Sequence, residues 1–92
     1  MANHKSALKR ARQSEERRMR NRSRKTRMKT VIRSLEEAIS SKSVEQARDK
    51  LQEAIAIIDS TASKGVIHRN TASRKVSRLT KKVNAFVSAQ NA

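Results

Sequence analysis

Residues 43–65 read SVEQARDKLQEAIAIIDSTASKG, and their apolar pattern decides the fold. The apolar residues recur at spacings of three and four, the period of one side of a helix. They are Val44, Ala47, Leu51, Ala54 and Ile58, with Ile55 alongside. Ser43 suits an N-cap with Gln46 completing a capping box, and Gly65 suits the left-handed residue that ends a helix. The stretch therefore predicts an amphipathic helix whose apolar side is buried against other helices.

Two further stripes of the same period flank this one. The earlier stripe consists of Met28, Ile32, Leu35 and Ile39, with Val31 alongside, and the later one of Ala72, Val76, Leu79, Val83 and Phe86. The chain has no Pro and a single Gly, and good helix formers are plentiful. Three stripes in 92 residues predict an all-α fold, a three-helix bundle formed by one domain over residues 1–92. His68 or Asn70 is expected to cap the third helix.

The first helix is expected to be longer than the other two. Nothing between Lys5 and Arg27 breaks a helix, although few residues there are apolar. A helix from about residue 5 to 40 is ~50 Å long, whereas the other two reach ~30 Å. We therefore expect residues 1–27 to project as a cationic extension beyond a bundle formed by residues 28–92. Like charges four residues apart oppose helix formation, so we expect this extension to be disordered until it binds an anionic partner.

Positive charge is concentrated at the two ends of the chain. The 23 Lys and Arg residues exceed the 8 acidic residues and give a formal net charge of +15. Residues 1–33 carry +11, residues 34–63 carry −3 and residues 64–92 carry +7. Self-repulsion of this size does not favour a free globular domain, so the charge predicts a polyanionic partner.

Arginine-rich runs supply the candidate phosphate contacts. Guanidinium groups fork onto phosphates, and short polar side chains such as Asn21, Ser23 and Thr26 can bond phosphate or ribose. The candidate cations of the extension are Arg12, Arg17, Arg18, Arg20, Arg22, Arg24, Lys25, Arg27 and Lys29. The second patch consists of Lys64, Arg69, Arg74, Lys75, Arg78, Lys81 and Lys82. Arg74, Arg78 and Lys81 share one face of the third helix. For two or three cations of this patch, pairing with acidic residues of the middle segment is the alternative to phosphate contact.

Several classes of function are not expected. One aromatic residue, Phe86, nearly excludes recognition of unpaired bases on aromatic platforms. There is no Cys, His4 and His68 are isolated, and no catalytic constellation is evident, so we expect no enzyme activity, metal, cofactor or small-molecule substrate. The extension lacks the apolar face of a membrane-bound helix. No secretory signal is expected, and an organelle transit peptide is disfavoured because charge continues past Lys29 into predicted helix.

Three motifs carry a family resemblance: the opening MANHKSALKR, the residues Arg17, Arg18 and Asn21, and the stretch KGVIHRNTASRK over 64–75. Together they resemble the bacterial small ribosomal subunit protein S20 family, over nearly the whole chain. The resemblance implies a three-helix bundle with a long first helix and direct binding to 16S ribosomal RNA early in assembly. It also implies a place in the cytoplasmic ribosome with few or no protein contacts. The RNA contacts that it implies are Lys5, Ser6, Lys9, Arg10, Arg17, Arg18, Asn21, Lys64, His68, Arg69, Asn70 and Arg74.

Two other functions remain open on the residues alone. A DNA-compacting basic protein would share the charge, although no helix-turn-helix and no heptad dimer adjoin the basic region. A helical antitoxin or chaperone that binds an acidic protein is the third reading.

Overall fold

The computed structural model describes the backbone of residues 2–91 and the side chains of residues 5–91, so the side chain of His4 lies outside the described residues. The described chain forms α1 (Ala2–Ser40), α2 (Val44–Ser63) and α3 (Arg69–Asn91). Helix α2 packs against both α1 and α3. The connections are three and five residues long, so consecutive helices run antiparallel. The predicted all-α, three-helix architecture is confirmed.

One core joins the three helices. The largest fully buried side chains are Leu35, Ile58 and Val83, one from each helix. The predicted stripe of α3 faces this core, and so do Ala47, Leu51, Ala54 and Ile58 of α2. Ile57 packs against the core in place of the predicted Val44 and Ile55, and the stripe of α1 is also turned slightly. Val31 and Ala38 are buried there, whereas Ile32 and Ile39 are only partly buried. The seam of α1 therefore follows Met28, Val31, Leu35 and Ala38.

Both α1 and α2 end in a left-handed residue. Gly65 has a φ of +76°, as predicted, and the Val66 N–H donates to the Thr61 carbonyl oxygen at 3.2 Å. Lys42 also adopts a positive φ, +61°, which the sequence did not predict because Lys gains nothing there. The Ser43 N–H closes this turn by donating to the Ala38 carbonyl oxygen at 3.2 Å. Both ends are Schellman motifs, which satisfy the last carbonyls of their helices.

Side chains cap the starts of α2 and α3. The Gln46 N–H donates to Ser43 Oγ at 3.3 Å, which confirms the predicted cap. The reciprocal half of the capping box is absent, since the Ser43 N–H already bonds Ala38. The Asn70 N–H donates to His68 Nδ1 at 3.1 Å, so His68 is the cap of α3 and Asn70 lies in its first turn.

Helix α1 extends well past the bundle. Its 39 residues span ~58 Å at 1.5 Å per residue, within a molecule whose longest dimension is 72 Å. Every side chain from Lys5 to Arg20 is exposed, and Met28 is the first buried side chain. A long first helix is confirmed, and the folding of its extension on an anionic partner stays a prediction.

Candidate nucleic-acid interface

One face of α1 changes from cationic to apolar where the bundle begins. Positions 10, 17 and 24 are Arg, whereas positions 31 and 38 on the same heptad row are Val and Ala. A straight helix drifts by only about 20° per heptad, so all five positions lie on one side. Val31 and Ala38 are buried against the bundle, Arg24 is half-buried, and Arg10 and Arg17 are exposed. The arginines therefore continue the bundle-facing side of α1 past the end of α2.

A second row of cations runs along the same helix. Arg18, Arg22, Lys25 and Lys29 recur at spacings of four, three and four, and all are exposed. They line a shallow groove together with Ser14, Arg17, Asn21 and Thr26. The two rows adjoin at Arg17 and together cover a broad part of the surface of α1, so the helix can contact phosphates from more than one direction.

Arg24 and Arg27 of α1 meet the end of α2 at a small cleft, which we call the junction cleft. Its other lining residues are Ala56, Ile57, Ser60, Thr61 and Lys64, and its volume is about 220 Å³. The antiparallel packing of α1 and α2 brings Lys64 to these two arginines, although it lies 37 positions after Arg27. The sequence pattern places Arg24 and Arg27 in the extension and Lys64 in the second patch, whereas in the structure all three line one cleft.

The exposed face of α3 forms the remaining cationic surface. Arg74 and Arg78 are exposed, while Leu79 and Val83 on the opposite side are buried, as the periodicity predicted. Lys75 is half-buried. Within residues 5–91, one cation of this patch has an acidic partner: Lys82 Nζ lies 3.8 Å from Glu36 Oε1. Among the described residues, the alternative of acidic pairing therefore applies to one cation of this patch.

The predicted contact residues are accessible. Asn21 and Arg24 are half-buried, and the other eighteen are exposed: Lys5, Ser6, Lys9, Arg10, Arg12, Arg17, Arg18, Arg20, Arg22, Lys25, Arg27, Lys29, Lys64, His68, Arg69, Asn70, Arg74 and Arg78. Neither of the two ion pairs found in the described side chains involves any of them. Their charge is thus not neutralised within the described protein.

Two other findings refine the sequence analysis. Thr26 Oγ1 donates to the Arg22 carbonyl oxygen at 2.9 Å. Its hydroxyl proton is therefore already used within the helix, contrary to the expectation that it bonds phosphate or ribose. Ser60, which no sequence motif indicates, lies at the junction cleft, and none of the side-chain hydrogen bonds of the described residues involves its hydroxyl. No local signal marks Ser60, because its position depends on the register of α2 against α1.

The part of the chain that the structure describes contains no acidic or histidine cluster suited to a metal ion. None of the described helices is sufficiently long and apolar to span a membrane.

Comparison with known proteins identifies the family. The model of the family described as Ribosomal protein S20 matches residues 2–84. The small ribosomal subunit protein bS20 of Syntrophobacter fumaroxidans is 74% identical over 86 residues, covering 94% of this chain and 100% of that protein. The protein of the same name from Desulfotalea psychrophila is 55% identical over 89 residues, covering 97% of this chain and 100% of that protein. The chain therefore belongs to the ribosomal protein S20 family.

Proposed function

We propose that this chain is a structural constituent of the small ribosomal subunit that binds 16S ribosomal RNA directly and stabilises its folding during assembly. Family membership supports the ribosomal role and, with it, a non-enzymatic protein of the bacterial cytoplasmic ribosome. Direct RNA binding is supported above all by the exposed cations of the α1 extension, which have no acidic partners among residues 5–91.

The shape of the extension favours structured RNA as the polyanion. An exposed helix whose large apolar side chains are only Leu8 and Met19 has no continuous apolar face to bury against protein or lipid. Between packed RNA helices, however, phosphates can approach such a helix from several sides. Releasing the counterions of those phosphates provides a large, salt-dependent share of the binding free energy.

The bundle supplies a second contact surface, formed by residues that lie outside the extension. The end of α2, the connection over residues 64–68 and the exposed face of α3 are held in place by the core. We propose that Lys64, His68, Arg69, Asn70, Arg74 and Arg78 contact RNA from this surface. Arginines at these positions can fork onto phosphate oxygens without prior ordering.

Few protein contacts are needed for this role. The exposed large apolar side chains of the described residues are Leu8 and Met19, at 59% and 68% exposure. Two isolated side chains make no patch of the size that marks a protein interface. RNA is therefore the main partner in this proposal.

Filter binding tests the proposal against DNA compaction. Affinities for folded 16S ribosomal RNA and for random duplex DNA are measured at several salt concentrations. We expect tighter binding to the RNA at every salt concentration, because the two cationic surfaces must fit one folded arrangement of phosphates. Equal affinities with parallel salt slopes would contradict the proposal and favour a general DNA-binding protein.

A further inference from the structure

We infer that the junction cleft is a seat for a single RNA phosphate, held jointly by Arg24, Arg27 and Lys64. This inference rests on the proposed function. It adds that three cations from two helices converge on one phosphate instead of contacting three separate ones.

The charge of the cleft supports this inference. None of its described lining residues is acidic, and neither ion pair found among residues 5–91 includes Arg24, Arg27 or Lys64. The three cations lie around one volume of about 220 Å³, room for several water molecules at ~30 Å³ each. Three like charges around a small space repel one another, and an anion placed between them relieves that repulsion.

A structural explanation accounts for only part of this charge. The cleft lies at the C-terminus of α2, where cations stabilise the helix dipole. That dipole corresponds to about half a negative charge, whereas three full positive charges surround it. The dipole therefore offsets only a small part of this charge, and the remainder attracts an anion into the cleft. A phosphate, with its oxygens directed at several donors, fits this need.

The polar and apolar lining of the cleft fits the same ligand. The Ser60 hydroxyl is free to donate, whereas Thr61 Oγ1 already donates to the Ile57 carbonyl oxygen at 2.7 Å. Ile57 is half-buried and Thr61 is buried, so the floor of the cleft is fixed by the core. The α2 wall of the site is thus formed before RNA arrives, whereas Arg24 and Arg27 belong to the last turn of the extension, next to the buried Met28.

The salt dependence of RNA binding distinguishes one shared phosphate from three. Two triple variants with the same change of charge are compared. The cleft variant combines Arg24→Gln, Arg27→Gln and Lys64→Gln, and the extension variant combines Lys5→Gln, Arg10→Gln and Arg18→Gln. The slope of log affinity against log salt falls by about 0.7–0.9 for each phosphate that the protein no longer neutralises. We expect the slope to fall by the amount for about one phosphate in the cleft variant and for about three phosphates in the extension variant. If the slope of the cleft variant falls by the amount for two or more phosphates, or if its RNA affinity is unchanged, the three cations do not share one phosphate.

A measurement without RNA separates this inference from the proposed function. Thermal unfolding of both variants and of the unmodified protein is followed as inorganic phosphate is added, with circular dichroism confirming that each is helical. Phosphate should raise the melting temperature of the unmodified protein and the extension variant more than that of the cleft variant. If the unmodified protein shows no preference for 16S ribosomal RNA, the proposed function fails. The phosphate titration then still shows whether the cleft binds phosphate. Equal phosphate responses would then reject the site.

Discussion

Lys82 on α3 is paired with Glu36 on α1, with 3.8 Å between Nζ and Oε1. The residues are 46 positions apart, and the contact places the middle of α3 beside the last turns of α1. The pair also removes one cation from the surface that α3 offers to RNA. Lys82 is therefore expected to contribute less to RNA binding than Arg78, which has no acidic partner among the described residues.

We predict that Glu36→Gln lowers the free energy of unfolding by less than about 1 kcal/mol, because both side chains of the pair are exposed to solvent. The same substitution frees Lys82 and should leave RNA affinity equal or slightly higher. Urea unfolding and filter binding measure the two effects. A loss of RNA affinity on Glu36→Gln would show that the pair positions α3 for binding.

Replacing a fully buried leucine should affect the bundle and not the RNA surface. Leu35 is fully buried, so Leu35→Ala is expected to lower the free energy of unfolding by ~2–5 kcal/mol. Leu8→Ala removes the same atoms from an exposed position and should change the free energy of unfolding by less than ~0.5 kcal/mol. Thermal unfolding measures both. Similar losses in the two variants would mean that Leu8 packs against other residues.

The two left-handed helix ends should respond in opposite directions. A Cβ added to Gly65 meets nothing within 4 Å, so Gly65→Ala should cost only the backbone strain of ~1–2 kcal/mol. Lys42→Gly relieves the same kind of strain and should raise the free energy of unfolding by up to ~1 kcal/mol. Urea unfolding of the two variants tests this. Destabilisation by Lys42→Gly would contradict the conformation of this turn.

The cap of α3 separates two roles of His68. His68→Ala removes the acceptor for the Asn70 N–H and should cost ~0.5–2 kcal/mol, whereas His68→Asn keeps a capping acceptor and most of the stability. Thermal unfolding and filter binding measure stability and RNA affinity for both variants. If His68 also contacts RNA through its ring, both variants should bind RNA more weakly. If it acts only by positioning the turn, His68→Asn should restore RNA affinity as well as stability.

Hydrogen exchange can test the folding of the extension on RNA. We expect the amides of residues 5–20 to exchange rapidly in the free protein, because no tertiary contact protects this densely charged helix. Adding 16S ribosomal RNA should slow their exchange, while amides near Ala54 stay protected in both states. Equal protection of the two regions without RNA would show that the extension is a stable helix on its own.

Local patterns in the sequence determined most of this fold. The apolar period located the cores of all three helices, and the charge distribution located the cationic extension. Ser43 and Gly65 marked helix ends because capping and positive φ depend on single residue types. Lys42 was missed because the turn around it follows from packing of the flanking helices and not from any preference of Lys.

The arrangement of the interface required the tertiary structure. No local pattern states that Val31 lies in the seam while Ile32 lies at its edge, since that depends on the rotation of α1 against α2. Nor does any pattern bring Lys64 to Arg24 and Arg27, because only the antiparallel register of two packed helices sets which residues meet. The sequence by itself determined three helices and a surplus of positive charge at both ends of the chain. Packing across the core decided which of those charges meet, and so which of them can share one phosphate.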